Sequence, residues 1–287
     1  TFLYIFNMLN VFRYDLYKMV KCKKLYFVYL IIIPFMFIGH VAASDIERIY
    51  WLDEFVSSFD GLLYPWSIAL FAVVFTGGDF SSRALNNIYA NVNKFYYVLS
   101  KVLCCFIFAL FVHLFEFCFY ILFSSIFNNG SAIKTDSAMI EYIMKNHGVW
   151  LKQAMSIYKK NCVQEIIYGI FCDLAFSSVI VAFCMWAKRT IVVFAGYLAY
   201  FCTVRPAFEK YISELSCKLA GKNLDAMDYS VLNYFPLSYF FEHHDYHDPA
   251  HPPIVVEKFW LQIIIAIVWV ALGLIAGWQI FKRKRRV

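Results

Sequence analysis

The sequence predicts an all-α integral membrane protein, a single transmembrane domain over residues 1–287, on three observations. Of the 287 residues 62% are hydrophobic and only 16% charged, whereas a soluble domain carries about a quarter charged residues. Apolar runs recur at bilayer length, since a hydrocarbon core about 30 Å thick needs about 20 residues of helix. Lys and Arg gather at the ends of those runs, as they do beside anionic lipid on the cytoplasmic side. Six spans follow, at 25–43, 60–77, 96–127, 163–187, 190–206 and 259–281.

Residues 7–22 come first. Met8, Leu9, Phe12, Leu16, Met19 and Val20 share one helical stripe, with Arg13, Tyr17, Lys18 and Lys21 opposite. This pattern predicts a basic amphipathic helix in the membrane interface, against the simpler reading of a cytoplasmic extension of the first span. No small-residue cleavage site follows the basic residues, so no secretory signal is expected. The loop after the first span, SDIERIYWLDEFVSSFD, is mostly acidic and is expected outside.

Residues 75–101 form a polar interlude between the second and third spans. Asp79 or Ser81 is a candidate cap for a short helix. Phe80, Ala84, Leu85, Ile88 and Val92 then recur at helical spacing, and the chain turns into the third span near Lys94. This is a surface helix whose apolar stripe suits a groove on the bundle or on another protein, or else a solvated loop. The third span is longer than a bilayer requires and is expected to tilt or protrude. Lys134, Lys145, Lys152, Lys159 and Lys160 fall in the second external loop. Lys188 and Arg189 make a tight turn between the fourth and fifth spans. Lys282 to Arg286 close the chain. With six spans, the N-terminal basic residues, the interlude, that turn and the C-terminus share one side, the cytoplasm.

Polar groups inside spans are costly, about 2.5–3.5 kcal/mol for a charge on insertion scales. His113 and Glu116 in the third span and Asp173 in the fourth therefore face protein or water. They read either as polar residues of a translocation path or as an interhelical hydrogen bond. The external segment 207–256 contains FEHHDYHDPAHPP, in which His243, His247 and His251 are zinc-ligand candidates or part of a titratable loop. Most of the nine cysteines lie in apolar runs. Cys162 and Cys217 fall in expected external loops, where a disulfide between them is an option.

The interlude resembles the second-to-third connection of the ABC type-2 exporter permeases. In that family an acidic residue ends the second span, and a short helix follows. A basic residue, aromatics and a Ser-Lys pair then open the third span. Here those features are Asp79, residues 81–92, Lys94, Tyr96-Tyr97 and Ser100-Lys101, with Arg83-Ala84 where the family usually has Gly-Thr. The layout also resembles the family along the whole chain. The resemblance implies a coupling helix that docks on an ATPase subunit through Asp79, Phe80, Arg83, Leu85, Ile88, Val92 and Lys94. It implies that the interfacial helix, with Phe12, Arg13, Leu16 and Lys18, touches the same subunit.

The resemblance further implies a second permease copy, as a homodimer or a related subunit, and two ATPase copies. No GxxxxGK[ST] loop is present to cradle phosphates, so ATP and magnesium belong to the partner and no cofactor other than the candidate zinc is expected on this chain. No catalytic residue is assigned, and the chain is expected to be a transport subunit rather than an enzyme. Small permeases of this layout resemble bacitracin, lantibiotic-immunity and toxic-peptide exporters of Gram-positive bacteria. That implies a bacterial cell membrane location and an amphipathic or lipid-like cargo. The net charge of +6 sits beside apolar runs rather than on a soluble face, so nucleic acid is not an expected partner. The competing readings are a membrane-embedded peptide-processing enzyme and a non-transporting sensor or scaffold.

Overall fold

The computed structural model describes residues 2–21, 23, 63–80, 92–127, 141, 143–145, 148–187, 190–199, 211 and 259–283. Six helices lie within them: α1 (Phe2–Lys21), α2 (Leu63–Phe80), α3 (Lys94–Phe127), α4 (Leu151–Ala187), α5 (Thr190–Ala199) and α6 (Phe259–Arg283). Three are long and apolar enough to cross a membrane: α3 over Lys94–Phe115, α4 and α6. Ser67–Asp79 of α2 is a shorter apolar helix. The expected first span, residues 81–91 and all but one residue of the external segment 207–256 lie outside the described residues.

Side-chain contacts set the helix directions. Phe71 of α2 stacks on Phe108 of α3, 4.1 Å between centroids, while Asp79 meets Tyr97 and Lys101. These two helices are therefore antiparallel. His113 meets Asp173, and Gly277 brings Val98 and Ala182 together, so α3 is also antiparallel to α4. Gly273 packs on Ser178 and Gly277 on Ala182, which makes α4 and α6 parallel. A methyl group at Gly273 would stand 2.7 Å from the Ser178 carbonyl carbon. Only glycine permits that approach, and small residues are how helices reach van der Waals contact where lipid offers no hydrophobic drive. The shared core draws on Phe71 and Phe75, on Val98, Cys105 and Phe108, on Phe176 and Met185, and on Ala266.

One end of this bundle is basic. Tyr97 stacks on Phe281 and Phe95 meets Trp278 edge-on, so the start of α3 and the end of α6 lie together. Lys94, Lys282 and Arg283 mark this end, and α1 with Arg13 and Lys21 packs at the same level, through contacts to Ser100 and Lys101. Asn93 caps α3, its side-chain oxygen accepting from the Phe95 amide at 2.9 Å.

Helix α4 departs from expectation. It starts at Leu151 rather than near 163 and its 37 residues extend about 55 Å, well beyond a bilayer core. Gly148, at φ 60°, takes the left-handed conformation that admits the chain to this helix. Ala154, Tyr158 and Cys162 fall on one face and form a second small apolar cluster with Ile143. Lys152, Lys159 and Lys160 are exposed on the other. These lysines therefore belong to a protruding helix and not to a loop. Cys162 is likewise buried in α4, not in an external loop, and Cys217 lies outside the described residues.

Candidate functional site

Three helices bring two aspartates and two lysines into one buried cluster at the basic end. On α3, Tyr97, Ser100 and Lys101 are three and four residues apart and so share a face. Lys101 has no exposed surface. Its ammonium lies 2.6 Å from Asp15 Oδ1 of α1 and 2.7 Å from Asp79 Oδ2 of α2. Ser100 Oγ donates to Asp15 Oδ2 at 2.6 Å. The Tyr97 hydroxyl donates to Asp79 Oδ2 at 2.9 Å. Lys18 of α1 pairs with Asp79 Oδ1 and donates to the Phe75 carbonyl at 3.0 Å. Both ammoniums also lie near the Phe75 ring, Lys101 at 4.2 Å and Lys18 at 4.9 Å from its centroid.

Two carboxylates against two ammoniums leave the cluster without net charge. An aspartate in the last turn of α2 opposes the helix dipole, and the lysines offset both charges. Burial pushes the Lys18 ammonium below the ordinary lysine range, with the Lys101 charge acting the same way. Asp79 and then Asp15 pull it back. Such a cluster is costly to break, about 3–5 kcal/mol for losing one partner, yet contributes little net stability over an apolar core. What it supplies is a specified arrangement. It ties α1 to the C-terminal end of α2 and the N-terminal end of α3, the two ends of the connection over residues 81–93.

Asp79 lies inside α2, which runs to Phe80 rather than stopping at 77; the short helix that it is a candidate to cap lies outside the described residues. Lys18 departs from expectation too. It turns from the polar face of α1 into the bundle. Of the apolar stripe, Phe12, Leu16 and Met19 pack on the core, while Leu9 and Val20 are exposed. Arg13 is exposed. Val92 packs against the core and Lys94 opens α3. Arg83, Leu85 and Ile88 lie outside the described residues, as does the Phe80 side chain. Asp15 was not singled out from sequence. Its signal was there: it is the only acidic residue among the first 24 and lies between the inward-facing Phe12, Leu16 and Met19.

A second polar contact lies deeper. His113 Nε2 of α3 is 2.7 Å from Asp173 Oδ2 of α4, with both side chains buried. The contact gives each buried polar group a partner across the two helices, as a polar group inside a span requires. Of the three polar residues expected together, the structure joins these two; the Glu116 side chain is outside the description. His243, His247 and His251 are outside it as well. Among the described residues no group of three His, Cys, Asp or Glu is arranged to hold a metal.

No family model matches this chain, and neither a curated protein nor a solved structure matches it.

Proposed function

We propose that the chain is the permease subunit of an ATP-binding cassette exporter in a bacterial cell membrane. It crosses the bilayer six times, with both termini in the cytoplasm, and moves an amphipathic or antimicrobial peptide or a lipid-like compound. A second permease copy and a separate ATPase complete the transporter. One observation carries the reading most directly: the buried cluster of Asp15, Lys18, Asp79 and Lys101. It holds both ends of the stretch that resembles a coupling helix and fastens them to α1. A push on that stretch by an ATPase would reach α2 and α3 together and α1 with them, because a satisfied buried ion cluster resists independent movement of its members. The basic end of the bundle supports a cytoplasmic position for this region.

The test is co-purification of a separate ATPase with this chain from its native membrane. Leu85→Asp with Ile88→Asp puts charge on the apolar stripe of residues 80–92, where a docked helix gains roughly 1.5–3 kcal/mol from each large side chain buried. The double variant is expected to lose the ATPase and transport while its membrane abundance stays at the wild-type level. Retention of the partner and of transport by this variant would refute the coupling assignment.

A further inference from the structure

The lysines of α4 outside the apolar core have no role in the reading above. The exposed face of α4 reads, toward the membrane, Lys152, Ser156, Lys159, Lys160, Val163 and Ile167. All six fall within about a third of the helix circumference. Val163 and Ile167 are 53% and 38% exposed, so the basic stripe continues into exposed aliphatic surface toward the membrane.

The position of the bilayer follows from α6. Trp260 and Trp278 are eighteen residues apart, about 27 Å, close to the thickness of the hydrocarbon core. Both suit the interfacial aromatic belts. Helices α4 and α6 run parallel with Gly273 beside Ser178 and Gly277 beside Ala182. Carried along that register, Trp260 stands level with Glu165, which is buried. Val163 and Ile167 thus straddle the edge of the core. Lys159 and Lys160 stand about 7–9 Å beyond it, at or just past the headgroup layer, within reach of the phosphates for a lysine that extends its stem along the helix. Lys152 stands about 20 Å beyond the edge, out of reach. Among the described residues neither Lys159 nor Lys160 makes an ion pair.

We infer that this stripe is a binding site for an anionic phospholipid. Lys159 and Lys160 hold its phosphate-containing headgroup, and Val163 and Ile167 lie along the upper acyl chain. Apolar contact continuous with a paired basic contact, at the depth where a lipid changes from chain to headgroup, favours a lipid over a soluble anion or a protein. This rests on α4 crossing the membrane and not on the transport reading.

The test places a photoreactive benzophenone amino acid at Val163 in the full chain. The protein is held in nanodiscs of equal phosphatidylglycerol and phosphatidylcholine, and lipid adducts are counted by mass spectrometry after illumination. Phosphatidylglycerol adducts are expected to dominate, with the preference falling roughly fivefold for each lysine removed by Lys159→Gln or Lys160→Gln. Lys152→Gln is expected to leave it unchanged. Equal adducts with both lipids, a preference that survives the double Lys→Gln change, or cross-links to protein alone would overturn the assignment. So would a preference that Lys152→Gln abolishes, which would place the headgroup contact away from Lys159 and Lys160.

Discussion

Lys101 has one cation's charge to divide between Asp15 and Asp79, and Lys18 adds a second from a side chain that stays 19% exposed. Lys101→Met would leave two carboxylates with only the outer lysine. The expected loss is about 3–5 kcal/mol of stability, read as a lower unfolding midpoint in detergent. Adding Asp15→Asn to that variant leaves Asp79 paired with Lys18 and restores neutrality, so most of the loss should return. A double variant no better than Lys101→Met alone would mean that lysine packing, not charge balance, holds the site. At this scale the sequence was partly legible. Asp79, Tyr97, Ser100 and Lys101 were named through the family resemblance, and Lys18 as part of the interfacial helix. Asp15 was not, because it lies 86 positions from Lys101. No local pattern encodes a contact made only when three helices meet. The His113–Asp173 contact was easier, since a charged group within a span requires a partner and few candidates exist.

Between elements, the closest approach is that of α4 and α6 at Gly273. Gly273→Ala would gain about 1 kcal/mol of helix propensity. It would also place a methyl 2.7 Å from backbone carbon that cannot rotate away, and overpacking costs about 1–3 kcal/mol. The net expectation is a destabilised protein with a lower unfolding midpoint. Gly277→Ala is milder, because its nearest neighbour is a Val98 methyl at 3.0 Å. A more stable Gly273→Ala protein would show that the helices can part there freely. Sequence reading identified α3, α4 and α6 as apolar helices but began α4 twelve residues too late. Hydropathy detects lipid-facing residues, whereas residues 151–162 are helical through a narrow stripe, Ala154, Tyr158 and Cys162, packed on Ile143. The same spacing would have revealed it had the segment been read for period rather than for apolarity.

Across the whole molecule, the basic end and the protruding start of α4 lie at opposite faces of the membrane slab. Single cysteines test this in sealed cells with a membrane-impermeant maleimide, after subtraction of wild-type labelling. Ser156→Cys is expected to label from outside, and Arg283→Cys only after lysis. The reverse pattern would invert the orientation and remove support for the exporter reading. Three long apolar helices were legible because bilayer thickness imposes a length. The proposed six-span topology rests on the pattern of charge and apolarity along the sequence.

The dyad of His113 and Asp173 divides α4 unequally. About 21 Å of helix separates Asp173 from Ala187 at the basic end, and about 33 Å separates it from Leu151. A stiff rod that tilts about such a point is a lever with arms in a ratio of about three to two. A displacement of about 2 Å at Ala187 becomes about 3 Å, in the opposite direction, at Leu151.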